Sequence, residues 1–87
     1  MKVFTYAIYS ASADIIYVGI SKDVSQRLAE HNSGKAKFTK SFRPWIVFYS
    51  EEFASYSEAR SREKQLKASS GKSFLREKLN AFRQRAE

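Results

Sequence analysis

The chain has no cysteine, which removes disulfide bridges and thiolate metal sites from consideration. Its single histidine, His31, rules out a multi-histidine zinc centre within one protomer. Proline occurs once and glycine three times, and there is neither an internal repeat nor a low-complexity linker. No apolar run approaches the ~20 residues needed to cross a bilayer. The N-terminal stretch "MKVFTYAIYSASAD" is interrupted by tyrosine, threonine and serine, so it lacks the core of a signal peptide. A cytoplasmic location without membrane association is the expectation.

What is present points to a folded domain. The chain has 87 residues, 43% of them hydrophobic and thirteen of them aromatic, which fits one globular unit over residues 1–87. The net charge of +7 is unevenly spread. Residues 1–59 carry seven cations against six acids, whereas residues 60–87 carry nine against three. Between Asn32 and Ser50, Lys35, Lys37, Lys40 and Arg43 stand with no acid among them. Two basic regions on one small domain form an electrostatic footprint for nucleic acid, although either could be only a solvated face.

"KVFTYAIYS" and "DIIYVGI" are β-branched and aromatic runs around "SASA", the pattern of a hairpin. A helix follows, with Val24, Leu28 and His31 at i, i+4 and i+7, Ser21 or Asp23 as its cap and Gly34 as its stop. A basic loop leads to Pro44 and a third strand, "WIVFYSEEF". Ser55 and Glu58 make a capping box for a helix to about Ala68. "SSG" is expected to break it, and a last helix begins near Lys72 with Phe74, Leu75, Leu79 and Phe82 on its apolar side. The short first link excludes a parallel crossover. The fold class is therefore α/β, a small three-stranded antiparallel or mixed sheet flanked by helices in the order ββαβαα.

Several reactive side chains fall on this frame. A hairpin centred between Ala11 and Ser12 pairs Tyr6 with Tyr17, either as a cross-strand aromatic pair or as part of a site. Arg27 and His31, four apart, lie on one side of their helix beside the apolar stripe. They serve as harmless edge residues or as the cationic wall of a polar pocket. Glu63 shares a 3-4-3 stripe with Tyr56, Ala59 and Leu66, and a carboxylate in such a stripe needs a partner. That partner is an arginine such as Arg27, or a metal: one carboxylate plus waters suits Mg²⁺.

"FTY", ten residues, "YVG", "DVSQRLAEHNSG" and "SEARSREKQLK", in that order, resemble the GIY-YIG nuclease domain from Val3 to about Lys78. The similarity is to small free-standing members akin to the N-terminal domain of the excinuclease of DNA repair. Phe4 stands where the name-giving glycine does, and Val18 replaces isoleucine. The resemblance implies a phosphodiester hydrolase with Tyr6, Tyr17, Arg27, His31 and Glu63 as catalytic residues. It also implies Glu63 as ligand of Mg²⁺ or Mn²⁺ and a DNA endonuclease of low intrinsic specificity, acting in repair or on branched DNA. Free tyrosine has a pKa of ~10, so Arg27, His31 and a cation are expected to favour the phenolate and make one tyrosine a base. The partner is DNA, with RNA left open, held by Lys35, Lys37, Lys40, Arg43, Lys64, Lys67 and Lys72. A non-catalytic nucleic-acid-binding module using the same lysines is the alternative, and an adaptor docking through its last helix is a third reading. The complete set of five reactive residues favours the enzyme.

Overall fold

In the computed structural model, which describes residues 2–86, two strands open the chain: β1 (Val3–Ser10) and β2 (Ile15–Ser21). There follow helix α1 (Val24–Ser33), a 3-10 turn (Thr39–Phe42), strand β3 (Ile46–Phe53), and helices α2 (Tyr56–Lys67) and α3 (Ser69–Ala86). The sheet order is β2-β1-β3, with β1 antiparallel to both neighbours. The expected ββαβαα order therefore stands, and the sheet is wholly antiparallel.

Register departs from the expectation. Tyr6 pairs with Gly19, and Tyr17 pairs with Ile8, so the two tyrosines are diagonal rather than opposite. The cause is Asp14, which sits in the turn with φ 55 rather than starting β2. Aspartate tolerates this left-handed conformation better than most residues. Its carboxylate also accepts from the Tyr9 hydroxyl at 2.8 Å and from Arg76 at 2.9 Å. The slip is two residues, an even number, so both tyrosines stay on one face.

Because side chains alternate, β1 feeds two cores. On one face Ala7, Tyr9 and Val18 pack with Phe48 and with Leu66, Leu75 and Leu79 of α2 and α3. On the other, Tyr6 and Ile8 pack with Trp45 and with Val24 and Leu28 of α1. A bulge opposite Ala7 and Ile8 places an extra residue in β3. It turns both Phe48 and Tyr49 toward the α2–α3 core while Val47 serves the other.

Helix ends follow local chemistry. Asp23, not Ser21, caps α1 by accepting from the Gln26 amide at 3.0 Å, and Gly34 closes the helix at φ 90. Ser55 caps α2 through the Glu58 amide, as the capping box implied. "SSG" does not break the chain as expected. Only Ala68 is extended between the two helices, and α3 starts at Ser69 with Gly71 buried in its first turn. A Cβ at Gly71 would overlap the backbone of Gln65 and Leu66, so this glycine permits close packing of the helix junction. Tyr56 also leaves its expected stripe and is exposed, while Ala59 and Leu66 are buried.

Candidate active site

On the α1 face, Tyr6 reaches inward from β1 and its ring lies over Gly19 of β2. A Cβ built at Gly19 would stand 2.6 Å from the Tyr6 hydroxyl. The glycine of "YVG" is thus the space that the first tyrosine occupies. His31, in the last turn of α1, is fully buried, and its Nε2 lies 2.9 Å from the Tyr6 hydroxyl. Its Nδ1 lies 2.8 Å from Oγ1 of Thr39, itself buried on the 3-10 turn. The Tyr17 ring meets the His31 ring edge-on at 5.3 Å between centroids.

Electrostatics orders the protons in this chain. Burial, only partly offset by the Arg27 charge, pushes the Tyr6 phenol up to about 12. Tyr6 therefore keeps its proton at neutral pH in these surroundings. Burial, followed by repulsion from Arg27, holds His31 below its usual range, with Glu30 opposing. A neutral imidazole accepts at one nitrogen and donates at the other. Tyr6 donates to Nε2, so Nδ1–H donates to Thr39, whose hydroxyl in turn faces the Ala36 carbonyl at 3.5 Å. Arg27 borders this chain and pairs with Glu30 at 2.7 Å. Glu30 also raises the Arg27 pKa further, so the guanidinium is a permanent cation.

Glu63 occupies different surroundings. Its helix, α2, packs on the opposite face of the sheet, where the Ala59 carbonyl accepts from Thr5. Of the partners considered for Glu63, Arg27 is not the arginine that reaches it; Arg60 is. The carboxylate is 16% exposed and is held by Lys67 at 3.2 Å and by Arg60 at 3.6 Å. A groove across the β2 edge relates the two sides: Tyr17 lines one flank, while Leu66 and Lys67 line the other. The structure thus gathers Tyr6, Tyr17, Arg27 and His31, and sets Glu63 one helical turn from the groove that begins at Tyr17.

Among the described residues, no three aspartate, glutamate or histidine side chains come together. A cation at Glu63 would be held by one carboxylate and completed by water and substrate oxygens, a set that suits Mg²⁺. The two cations now on Glu63 are themselves more than half exposed and readily displaced. The donor present fits that ion.

All seven cations expected to bind nucleic acid are exposed. Lys35, Lys37, Lys40 and Arg43 lie on the segment joining α1 to β3; Lys64 and Lys67 lie on α2, and Lys72 on α3. That joining segment is pinned from below. Asn32 brackets Trp45 through both its amide hydrogen and its carbonyl, and the Trp45 indole donates to the Thr39 carbonyl at 2.8 Å. Sequence reading missed Thr39, Asn32 and Phe38. Thr39 and Asn32 are small polar residues with no periodicity to mark them. Phe38 carried a signal, an isolated aromatic inside a basic run.

Residues 2–80 match the model of the GIY-YIG catalytic domain. A UPF0213 protein of Staphylococcus haemolyticus is 44% identical over 62 residues, covering 70% of this chain and 76% of that one. A UPF0213 protein of Staphylococcus epidermidis is 42% identical over 67 residues, covering 76% and 80%. The solution structure of a UPF0213 protein of Bacillus halodurans superposes with a TM-score of 0.51 at 29% identity, over 86% of this chain and 82% of that one.

Proposed function

This chain belongs to the GIY-YIG catalytic domain family, and on that premise we propose that it is a metal-dependent endonuclease hydrolysing DNA phosphodiester bonds. Low intrinsic sequence specificity goes with this reading, since the phosphate-facing cations expected here carry no base information. The observation that carries it is the fully buried Tyr6–His31–Thr39 hydrogen-bond chain beside a permanent cation. The Tyr6 hydroxyl keeps its proton and donates it in a hydrogen bond to a neutral imidazole, the contact that a proton route requires.

The chain of donors defines a route for one proton. As water attacks the phosphorus, its proton passes to the Tyr6 oxygen while the Tyr6 proton moves to His31 Nε2. His31 becomes an imidazolium that keeps its Nδ1–H bond to Thr39. A phenol of high pKa is a poor base alone; with a coupled acceptor it need never become a free phenolate. Arg27 holds the phosphate oxygens as charge builds on them, and Tyr17 orients the attacking side from the neighbouring strand. Glu63 would hold the metal ion, which when bound polarises the scissile phosphate and eases departure of the alkoxide.

Glu63→Gln tests this reading. The ion pairs it removes are partly solvated and worth only about 0–1 kcal/mol, so the melting temperature should hardly change. Cleavage of single-stranded, duplex and branched DNA in Mg²⁺ or Mn²⁺ should fall by several orders of magnitude, while binding persists. A stable Glu63→Gln protein that cuts at the wild-type rate defeats the mechanism.

A further inference from the structure

A groove crosses the β2 edge next to the site. It encloses about 610 Å³, within the range of about 300–1,000 Å³ that holds small ligands. Val18, Leu66 and Leu75 make its floor, and it opens between two unlike walls. One wall is aromatic. Phe38 is 57% exposed and lies beside the Tyr17 ring, 5.9 Å between centroids and 31° from parallel. The other wall is cationic, with Lys67, Lys72 and Arg76 along its rim. Lys67 and Arg76 already hold Glu63 and Asp14, whereas Lys72 makes no ion pair among the described residues.

We propose that this groove is a nucleobase subsite, which receives one unpaired base against Phe38 while Lys72 and its neighbours hold the adjoining phosphates. Charge complementarity selects the occupant. An aromatic face opposed by cations at this spacing fits a flat, anionic-backed ligand, and single strands are held by this combination of stacking and phosphate contacts. A duplex cannot use it, because a paired base is already stacked and its edges are committed. An apolar peptide would leave Lys72 without a counter-charge. Tyr17 lines the groove and also touches His31, so a base seated there places a neighbouring phosphate beside the catalytic tyrosines. The substrate class is accordingly DNA with at least one unpaired nucleotide next to the scissile bond. This last step rests on the nuclease reading, whereas the binding subsite does not.

The test is binding without metal, so that it stands apart from cleavage. The full chain in chelator is titrated into a single-stranded oligonucleotide carrying 2-aminopurine, and into the same sequence fully paired. Fluorescence should be quenched on binding the single strand, which should bind at least tenfold more tightly than the duplex at equal salt. Phe38→Ala, a change at an exposed site, should keep the melting temperature and lose about five- to a hundredfold in single-strand affinity, the usual effect of removing one stacking platform. Lys72→Ala should weaken binding and flatten its salt dependence. Equal affinity for both strands, no quenching, or a Phe38→Ala protein that binds like the wild type overturns the subsite. So does a concentration-dependent dimer that Phe38→Ala abolishes, since the groove would then belong to a second copy. A protein that binds as stated yet never cuts retains the subsite and loses the nuclease.

Discussion

His31 and Tyr6 are neutral partners buried together, and each should make stability depend on pH in a different window. Burial depresses the folded pKa of His31, so below ~6.5 the unfolded chain takes up a proton that the folded protein resists. The wild-type melting temperature should therefore drop as pH falls from about 7 to 5, more steeply than that of His31→Gln. Tyr6 works at the other end. Its pKa is raised from 10.0 to about 12, so its contribution is complete below 10 and is lost as pH rises through 12. The loss approaches about 2–3 kcal/mol, and Tyr6→Phe should remove it from a thermal melt series run across the same alkaline range. Parallel pH profiles for wild type and both variants would refute this assignment. The same residues show what the sequence made legible. Tyr6, Tyr17, Arg27 and His31 could be named from order and spacing. The protonation of Tyr6 could not, because desolvation depends on what packs around a ring, and that is set by Trp45, Leu28 and the sheet.

At the level of elements, the junction of α2 and α3 carries a sign that local propensity alone gets wrong. In an ordinary helix, replacing glycine by alanine gains up to about 1 kcal/mol. Gly71 lies in the first turn of α3 against the backbone of Gln65 and Leu66, and an added Cβ has nowhere to go. Gly71→Ala should destabilise by about 1–3 kcal/mol, read as a lowered melting temperature. An unchanged or raised value would show that the junction relaxes freely. Reading "SSG" as a breaker failed for the same reason: the glycine serves a contact between helices rather than a turn. The capping box at Ser55 and Glu58 and the stop at Gly34 were readable, since each is satisfied within a few residues of itself.

For the whole molecule, cations of α2 and α3 share one groove with an aromatic from the other basic region of the sequence. Phe38 stands on the segment that carries Lys35, Lys37, Lys40 and Arg43, while Lys67 and Lys72 rise from the opposite wall. Among the described residues, none of Lys35, Lys37, Lys40 and Arg43 forms an ion pair, so their charge is available to phosphates. DNA affinity should fall steeply with salt, and Lys37→Ala with Lys40→Ala should weaken binding evenly across sequences and reduce the salt slope by roughly two. A salt-independent affinity, measured by titration at two ionic strengths, would refute a phosphate-binding surface. No helix among the described residues is long and apolar enough to cross a membrane.

By itself the sequence determined the order of elements, the antiparallel hairpin, the capping box at Ser55 and the helix stop at Gly34. All of these follow from alternation, helical spacing and contacts within a few positions. Only the tertiary structure decided the register, because Asp14 answers to Tyr9 and to Arg76 sixty-two positions away. It also set α1 and α2 against opposite faces of the sheet, so Arg27 and Glu63 do not pair and each is left to partners within one turn of its own helix. Which helices share a face is settled only when strands from distant parts of the chain join one sheet.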